Sequence, residues 1–177
     1  MMNTPKKIVY DFLIGSGFDV HALQSLDHDN LIMLAGVAIP CRYKLIAHSD
    51  GDVILHALVD AILGAIGEGD IGEHFSPADS RWKNADSAQF IHHALALCAQ
   101  KNAQLVNVDI TIIGEHPTIS PHKPIMKNNL EKLLFLKSER INIKATTTEK
   151  LGFLGRSEGI AAQAVVSVKI PVLFESI

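Results

Sequence analysis

Residues 105–113 alternate: Val106, Val108, Ile110 and Ile112 point one way, Asn107, Asp109 and Thr111 the other. A period of two is the mark of a strand with a single apolar face, and that face has to be covered. The rest of the chain supplies the cover. Leu55, Leu58, Val59 and Ile62 recur at helical spacing in a segment predicted helical over 51–65, with Ser49 or Asp50 as its cap. A second helix is predicted from Asp86-Ser87 to about Ala99, and a third from the Ser120-Pro121 pair to about Leu136. Residues 8–14, and the run through Val20, read as extended. Residues 31–34 and 37–39, split at Ala35-Gly36, read as a hairpin ending at Pro40. Strands over 141–147 and 160–169 flank a Gly-rich stretch at 152–159. This balance predicts an α+β fold: a two-layer sandwich whose mixed, mostly antiparallel sheet carries its helices on one face.

The 177 residues suit one domain. Lys and Arg number 16 against 19 Asp and Glu, and a formal charge of −3 lacks the basic stripe of a nucleic-acid binder. A mean hydropathy of +0.20 fits surface buried between subunits, and also a weak membrane affinity. No apolar stretch is long enough to span a bilayer. Cys41 and Cys98 lack the close spacing of a metal knuckle and read as buried thiols in a reducing compartment. The N-terminal apolar run is short, is broken by Asp11 and has no cleavage site after it, so a cytoplasmic location is expected.

Several constellations can carry chemistry. Asp19 and His21 are two apart in an extended segment, so their side chains leave one face. With His56 they make three N/O ligands, the number that leaves a catalytic Zn²⁺ one open position. Asp52 and Asp60, one turn before and after His56, are candidates to accept the other ring N–H of a ligand histidine. The competing reading is a solvated Asp-x-His and a helix with a polar stripe. The donors of His48-Ser49-Asp50-Gly51 suit either a phosphate or simple helix capping. Gly15-Ser16-Gly17 fails as a dinucleotide fingerprint, because Val20 stands where the last glycine belongs, and a close backbone approach explains it better. Thr146-Thr147-Thr148-Glu149 ends a strand with hydroxyls for phosphate and a carboxylate for Mg²⁺, or is only a Thr-rich strand end. His28, His92 and His93 have no partner spacing and read as surface residues.

Taken in order, Gly17-Phe18-Asp19-Val20-His21, His48-Ser49-Asp50-Gly51-Asp52 through His56-Ala57 and Asp60-Ala61, Gly69-Asp70-Ile71-Gly72, Ala145 through Phe153, Gly155-Arg156 and Glu158-Gly159-Ile160-Ala161 resemble the 2-C-methyl-D-erythritol 2,4-cyclodiphosphate synthase family. The resemblance runs from about Ile14 to Lys169. It leaves residues 1–13 as a short N-terminal extension before a single catalytic domain at 14–177.

The resemblance implies a metal-dependent phosphorus–oxygen lyase of the non-mevalonate isoprenoid pathway. Its substrate is a cytidine diphosphate ester of methylerythritol that also carries a 2-phosphate, and CMP is released. It implies that Asp19, His21 and His56 hold Zn²⁺, with a β-phosphate oxygen as fourth ligand, and that Glu149 helps hold Mg²⁺ or Mn²⁺. His48 and Thr147 are implied as the catalytic donors, with Ser49 beside them. Asp70, Ile71 and Gly72 are implied for the methylerythritol part, and Phe75 and Asp79 lie in a stretch implied to touch substrate. Gly114, Pro117, Ser120 and Thr146 are implied for the cytidine, with Thr148, Phe153 and Arg156 as further contacts. A homotrimer with sites between subunits is implied, with Phe18, Arg156 and Glu158 around a central cavity that can hold an isoprenoid diphosphate. Two segments depart from the family pattern: Ser76-Pro77-Ala78 before Asp79, and the Glu115–Ile119 side chains of the cytidine loop. Rival readings are a Zn²⁺-dependent phosphodiesterase and a non-catalytic trimer that binds isoprenoid diphosphates.

Overall fold

The computed structural model describes residues 8–47, 49–76, 82 and 85–172. Strands β1 (Val9–Leu34), β2 (Val37–Ile46), β3 (Gln104–Ile113), β4 (Ile141–Thr146) and β5 (Gly159–Val172) form one sheet in the order β2-β1-β5-β3-β4. Every neighbouring pair is antiparallel except β3 and β4, which are parallel. The helices are α1 (Val53–Ile66), the short α2 (Ile71–His74), α3 (Ala88–Gln100), α4 (Lys123–Leu134) and the short α5 (Gly152–Gly155). Val108, Ile110 and Ile112 of β3 are buried, as their alternation requires, with Ala162, Ala164, Val166 and Val168 of β5 beside them. Leu55, Leu58 and Ile62 of α1 complete the same core. The other sheet face keeps Phe12, Ile14, Phe18 and Val20 exposed. The architecture is thus mixed α+β, with the apolar core on one face of the sheet.

Several expectations are corrected. The β1–β2 ribbon turns at Ala35 (φ 54°) and Gly36 (φ 70°), the two positive φ values of a tight hairpin turn. It does not stop at Pro40, which pairs opposite Leu31 while β2 continues to Ile46. Because β2 is the edge strand, a missing N–H costs nothing on its outer side. Neither Ser49 nor Asp50 caps α1: Asp52 does, accepting from the Ile54 and Leu55 N–H groups at 3.1 Å. The third helix opens with a 3₁₀ turn at Ser120–His122 before α4 begins. Residues 9–13, read as part of an extension, pair with β5 from Val9 opposite Val172 onward.

Gly15 and Gly17 lie mid-strand in β1, where α1 crosses. A Cβ on Gly17 would sit 2.1 Å from the Ala57 carbonyl oxygen, and one on Gly15 would sit 1.9 Å from that of Ala61. The two glycines are therefore a close backbone approach, and what approaches is the helix. Gly17→Ala should cost about 1–3 kcal/mol through overpacking. Urea denaturation measures this, and an unchanged midpoint would show that α1 is not seated on the β1 backbone.

Candidate metal centre and its surroundings

The seat of α1 on β1 sets the site. Asp19 and His21 leave β1 on the helix-covered face, and His56 leaves α1 one turn after Asp52. His21 Nε2 lies 3.1 Å from Asp19 Oδ2, His56 Nδ1 lies 3.0 Å from the same oxygen, and the two ring nitrogens are 3.0 Å apart. Among the described residues no other group of three or more His, Cys, Asp or Glu side chains converges in this way.

Donor bookkeeping shows what this cluster can hold. The Ser87 hydroxyl donates its only proton to Asp50 Oδ1 at 2.5 Å, since a carboxylate only accepts. Ser87 Oγ is then left to accept from His56 Nε2, 2.9 Å away. Neutral His56 therefore carries its proton on Nε2 and turns a lone pair at Nδ1 toward Asp19 and His21. Three acceptor atoms face one another with at most one N–H, that of His21, to share. A cation resolves this crowding, and two imidazoles with one carboxylate suit Zn²⁺. Burial works against the Asp19 charge, but contact with His56 and the nearby His21 outweighs it, and the carboxyl sits below its usual range. Burial lowers His21 despite the opposing pull of Asp19.

Ser87, with Asp50 behind it, is the partner of His56 that sequence reasoning missed. Asp52 and Asp60 do not reach the His56 ring in the way their spacing suggested. Asp52 is fully buried and accepts four backbone N–H groups: those of Ile54 and Leu55, of Ala35 at 3.0 Å and of Gly36 at 2.6 Å. Burial still raises its pKa, with the N–H bonds opposing. It locks the hairpin turn to the start of α1. Asp60 accepts from the Ile71 N–H at 2.8 Å and so fixes the start of α2.

Ser49 Oγ is 3.2 Å from His56 Nε2, and the Asp70-Ile71-Gly72 turn, capped by Asp70, is tied to Asp60 one turn after His56. Phe75 packs on Phe90, with ring centroids 4.5 Å apart, and Phe90 in turn faces His56 at 5.9 Å. His48 and Asp79, with Pro77 and Ala78, lie outside the described residues.

A second group gathers across the sheet. Thr147 Oγ1 donates to Glu149 Oε1 at 3.2 Å, and Thr148 Oγ1 donates to the Leu151 carbonyl at 2.7 Å. Gly114 N–H donates to the Thr146 carbonyl at 3.1 Å, and Lys150 N–H reaches Glu115 Oε1 at 3.4 Å, so the loop of Gly114, Pro117 and Ser120 is tied to the Thr146–Lys150 segment. Tyr43 stacks on His116, with centroids 5.1 Å apart and planes 18° from parallel. A groove of about 810 Å³ opens there between β2 and Pro117-Thr118, away from the triad. Phe153 packs near Gly159, and Arg156 grips Glu158 through two N–H···O contacts of 2.8 and 3.1 Å. Phe18 lies on the open sheet face, opposite to that of Asp19.

The triad and the Thr146–Glu149 segment stand apart within one chain. Asp19 pairs with Ala162, Ala162 with Ile112, and Ile112 with Ala145, next to Thr146. They therefore sit at one height of the sheet but three strands apart, roughly 14 Å along the hydrogen-bonding direction.

His28 is exposed beside Asp27, and His92 is exposed, as read from the sequence. His93 is not a surface residue without a partner: its Nε2 lies 3.0 Å from His74 Nδ1. Both cysteines are free; burial raises the pKa of Cys41 and pushes Cys98 up to about 11, away from the thiolate form. No helix among the described residues is long and apolar enough to cross a membrane.

A three-ligand N,N,O cradle between a sheet strand and the helix packed on it defines a candidate catalytic rather than structural metal centre. Residues 12–169 match the YgbB family, and the chain belongs to it. It is 50% identical over 157 residues to a 2-C-methyl-D-erythritol 2,4-cyclodiphosphate synthase of Xanthomonas axonopodis pv. citri, covering 89% of this chain and 93% of the relative. It is also 50% identical to the bifunctional enzyme IspD/IspF of Bartonella bacilliformis, there spanning 93% of this chain but only 41% of the larger protein. Among solved structures, the bifunctional IspDF from Campylobacter jejuni superposes with a TM-score of 0.86 at 42% identity, over 92% of this chain and 43% of that one. IspF of Plasmodium falciparum, in complex with CDP, superposes with a TM-score of 0.79 at 36% identity, over 92% of this chain and 97% of that one.

If Ser87 fixes the His56 tautomer, Ser87→Ala should bind a divalent cation roughly 10- to 100-fold more weakly while remaining folded. Competition with a chelator measures this, and wild-type affinity in the variant would remove Ser87 from the site.

Proposed function

We infer that this chain forms 2-C-methyl-D-erythritol 2,4-cyclodiphosphate in the non-mevalonate route to isoprenoids. The substrate is 4-diphosphocytidyl-2-C-methyl-D-erythritol 2-phosphate. An oxygen of its 2-phosphate attacks the β-phosphorus, the bond from that phosphorus to CMP breaks, and CMP leaves with the electron pair, the reaction of a phosphorus–oxygen lyase. The observation that carries this reading is the Asp19–His21–His56 cradle beside the Asp70 turn, in a chain half identical to a synthase over most of both lengths.

One anion must attack another, so the problem is charge and alignment more than bond-making by the protein. Zn²⁺ held by Asp19, His21 and His56, and Mg²⁺ or Mn²⁺ held by Glu149, would neutralise diphosphate charge when bound. The protein's own part is to orient. Ser49 and Thr147 offer hydroxyl donors to phosphate oxygens, with His48 assigned beside them. Asp70, Ile71, Gly72 and Phe75, with Asp79, enclose the methylerythritol, while Gly114, Pro117, Ser120, Thr146 and Thr148 hold the cytidine, with Phe153 and Arg156 alongside.

Because the two groups stand on separate strands at one height, we propose that they meet between subunits of a homotrimer, in the cytoplasm. The exposed Phe12, Ile14 and Val20 give such an assembly an apolar face to bury. Phe18, Arg156 and Glu158 would then line a central cavity. Glu158 occupies two of the five guanidinium N–H groups of Arg156 and leaves the others for an isoprenoid diphosphate.

The deciding experiment incubates purified protein with the diphosphate ester, Zn²⁺ and Mg²⁺. CMP and the cyclic diphosphate are expected in equal amounts. A ring-opened product would favour a phosphodiesterase that uses the same cradle to deliver water. No CMP at all would overturn the reading in favour of a binding protein.

Glu149→Gln separates the two cations. The amide is a weaker ligand for Mg²⁺, so turnover should fall and recover in part at higher Mg²⁺, while zinc content stays at the wild-type level. Loss of zinc, or a wild-type Mg²⁺ dependence, would remove Glu149 from this role. Activity should also fall on dilution below the assembly constant, since a site shared between chains is lost with the interface. Sedimentation that finds a fully active monomer would refute the shared site.

A further inference from the structure

The described histidines outside the triad include one half-buried contact that the functional reading does not use. His74 closes α2, and its Nε2 lies 2.7 Å from the Glu68 carbonyl oxygen. A carbonyl only accepts, so His74 carries its proton on Nε2 and its Nδ1 is an acceptor. With His74 neutral, His93 Nε2, 3.0 Å from that Nδ1, is the donor. Burial, aided by the proximity of His74, lowers the His93 pKa and favours the neutral His93 ring. The His93 ring also meets Phe75 edge-on, with centroids 5.0 Å apart and planes at 76°. One short turn, from Asp70 to Phe75, is thus held at both ends: by Asp60 at the Ile71 N–H, and by His93 of α3 at His74.

We propose that His93 is a positioning residue for substrate binding: through its bond to His74 it anchors the C-terminal end of α2 to α3 and keeps Asp70, Ile71 and Gly72 in place. The proposal rests on the reading that this turn contacts the substrate. A four-residue helix has too few internal bonds to hold its own shape, so its orientation depends on such anchors. His93 touches none of the reacting groups, and its loss should weaken substrate binding without slowing the chemical step.

The test compares steady-state kinetics and zinc content of wild type, His93→Ala, His93→Phe and His93→Gln, with Asp70→Asn as the reference for the turn itself. His93→Phe keeps a ring against Phe75 but has no donor; the His93→Gln amide restores one from the same helix position. His93→Ala and His93→Phe should raise KM for the diphosphate ester roughly three- to tenfold, the scale of one neutral hydrogen bond. Their kcat should stay within about twofold and their zinc at the wild-type level. His93→Gln should return KM to near wild type. A wild-type KM in His93→Phe, or a KM in His93→Gln as high as in His93→Ala, overturns the proposal while leaving the functional reading intact. An unchanged KM in Asp70→Asn shows that the turn does not contact substrate, and the proposal falls. If wild type itself releases no CMP, the functional reading fails and takes the proposal with it.

Discussion

Everything at the candidate site depends on how closely α1 approaches β1. Gly15 and Gly17 remove the side chains that would hold the two backbones apart, and Ala57, Ala61 and Ala65 of the helix meet them there. With ordinary side chains at these positions the helix would ride higher on the sheet. His56 would then move away from Asp19 and His21, and a cradle of atoms 3.0–3.1 Å apart cannot absorb that displacement. Gly15 and Gly17 stand four and two residues before Asp19 on the same strand face, so packing and ligand geometry are one constraint.

Asp52 and Asp60 support this arrangement from either side of His56. Asp52 is a buried carboxyl group whose desolvation is offset in part by four backbone N–H groups drawn from two places, the hairpin turn and the first turn of α1. Removing the side chain would leave those N–H groups unpaired in the interior, which costs more than a single lost bond. Asp60 does similar work at the other end, where α1 meets the Asp70 turn. Both act on His56 and the turn through the backbone, which explains why neither needs to touch a ligand ring.

What could be read in the sequence was whatever is local or periodic. Asp19 and His21 share a face because strands alternate, and residues 105–113 announce a one-sided strand for the same reason. His56 lies on a helix whose apolar spacing is plain. The order of the motifs supplied the family. The hidden part is made of long-range pairs that no spacing marks. Ser87 reads as a helix cap, yet it makes no capping bond and lies against His56, 31 residues away. His93 looked solitary because its partner His74 is 19 residues upstream on another helix. The stop placed at Pro40 failed for a different reason: proline is a signal against central strands, and β2 is at the edge.

The row that runs from Asp19 through Ala162 and Ile112 to Ala145 bears on why such a site would be divided between subunits. The triad draws its rigidity from the helix-packed interior of the sheet, whereas Thr147 and Glu149 stand on an exposed segment beyond edge strand β4. A reaction that brings two phosphates together needs charge neutralised from more than one side, and one side of a single sheet presents only one wall. In an assembly of the kind proposed, a second wall at the same height but at the far edge would let a rotation of the whole chain, with no change in its fold, bring one copy's threonines opposite another copy's histidines. The pairing would then be set by the sheet, with the accuracy of strand registry.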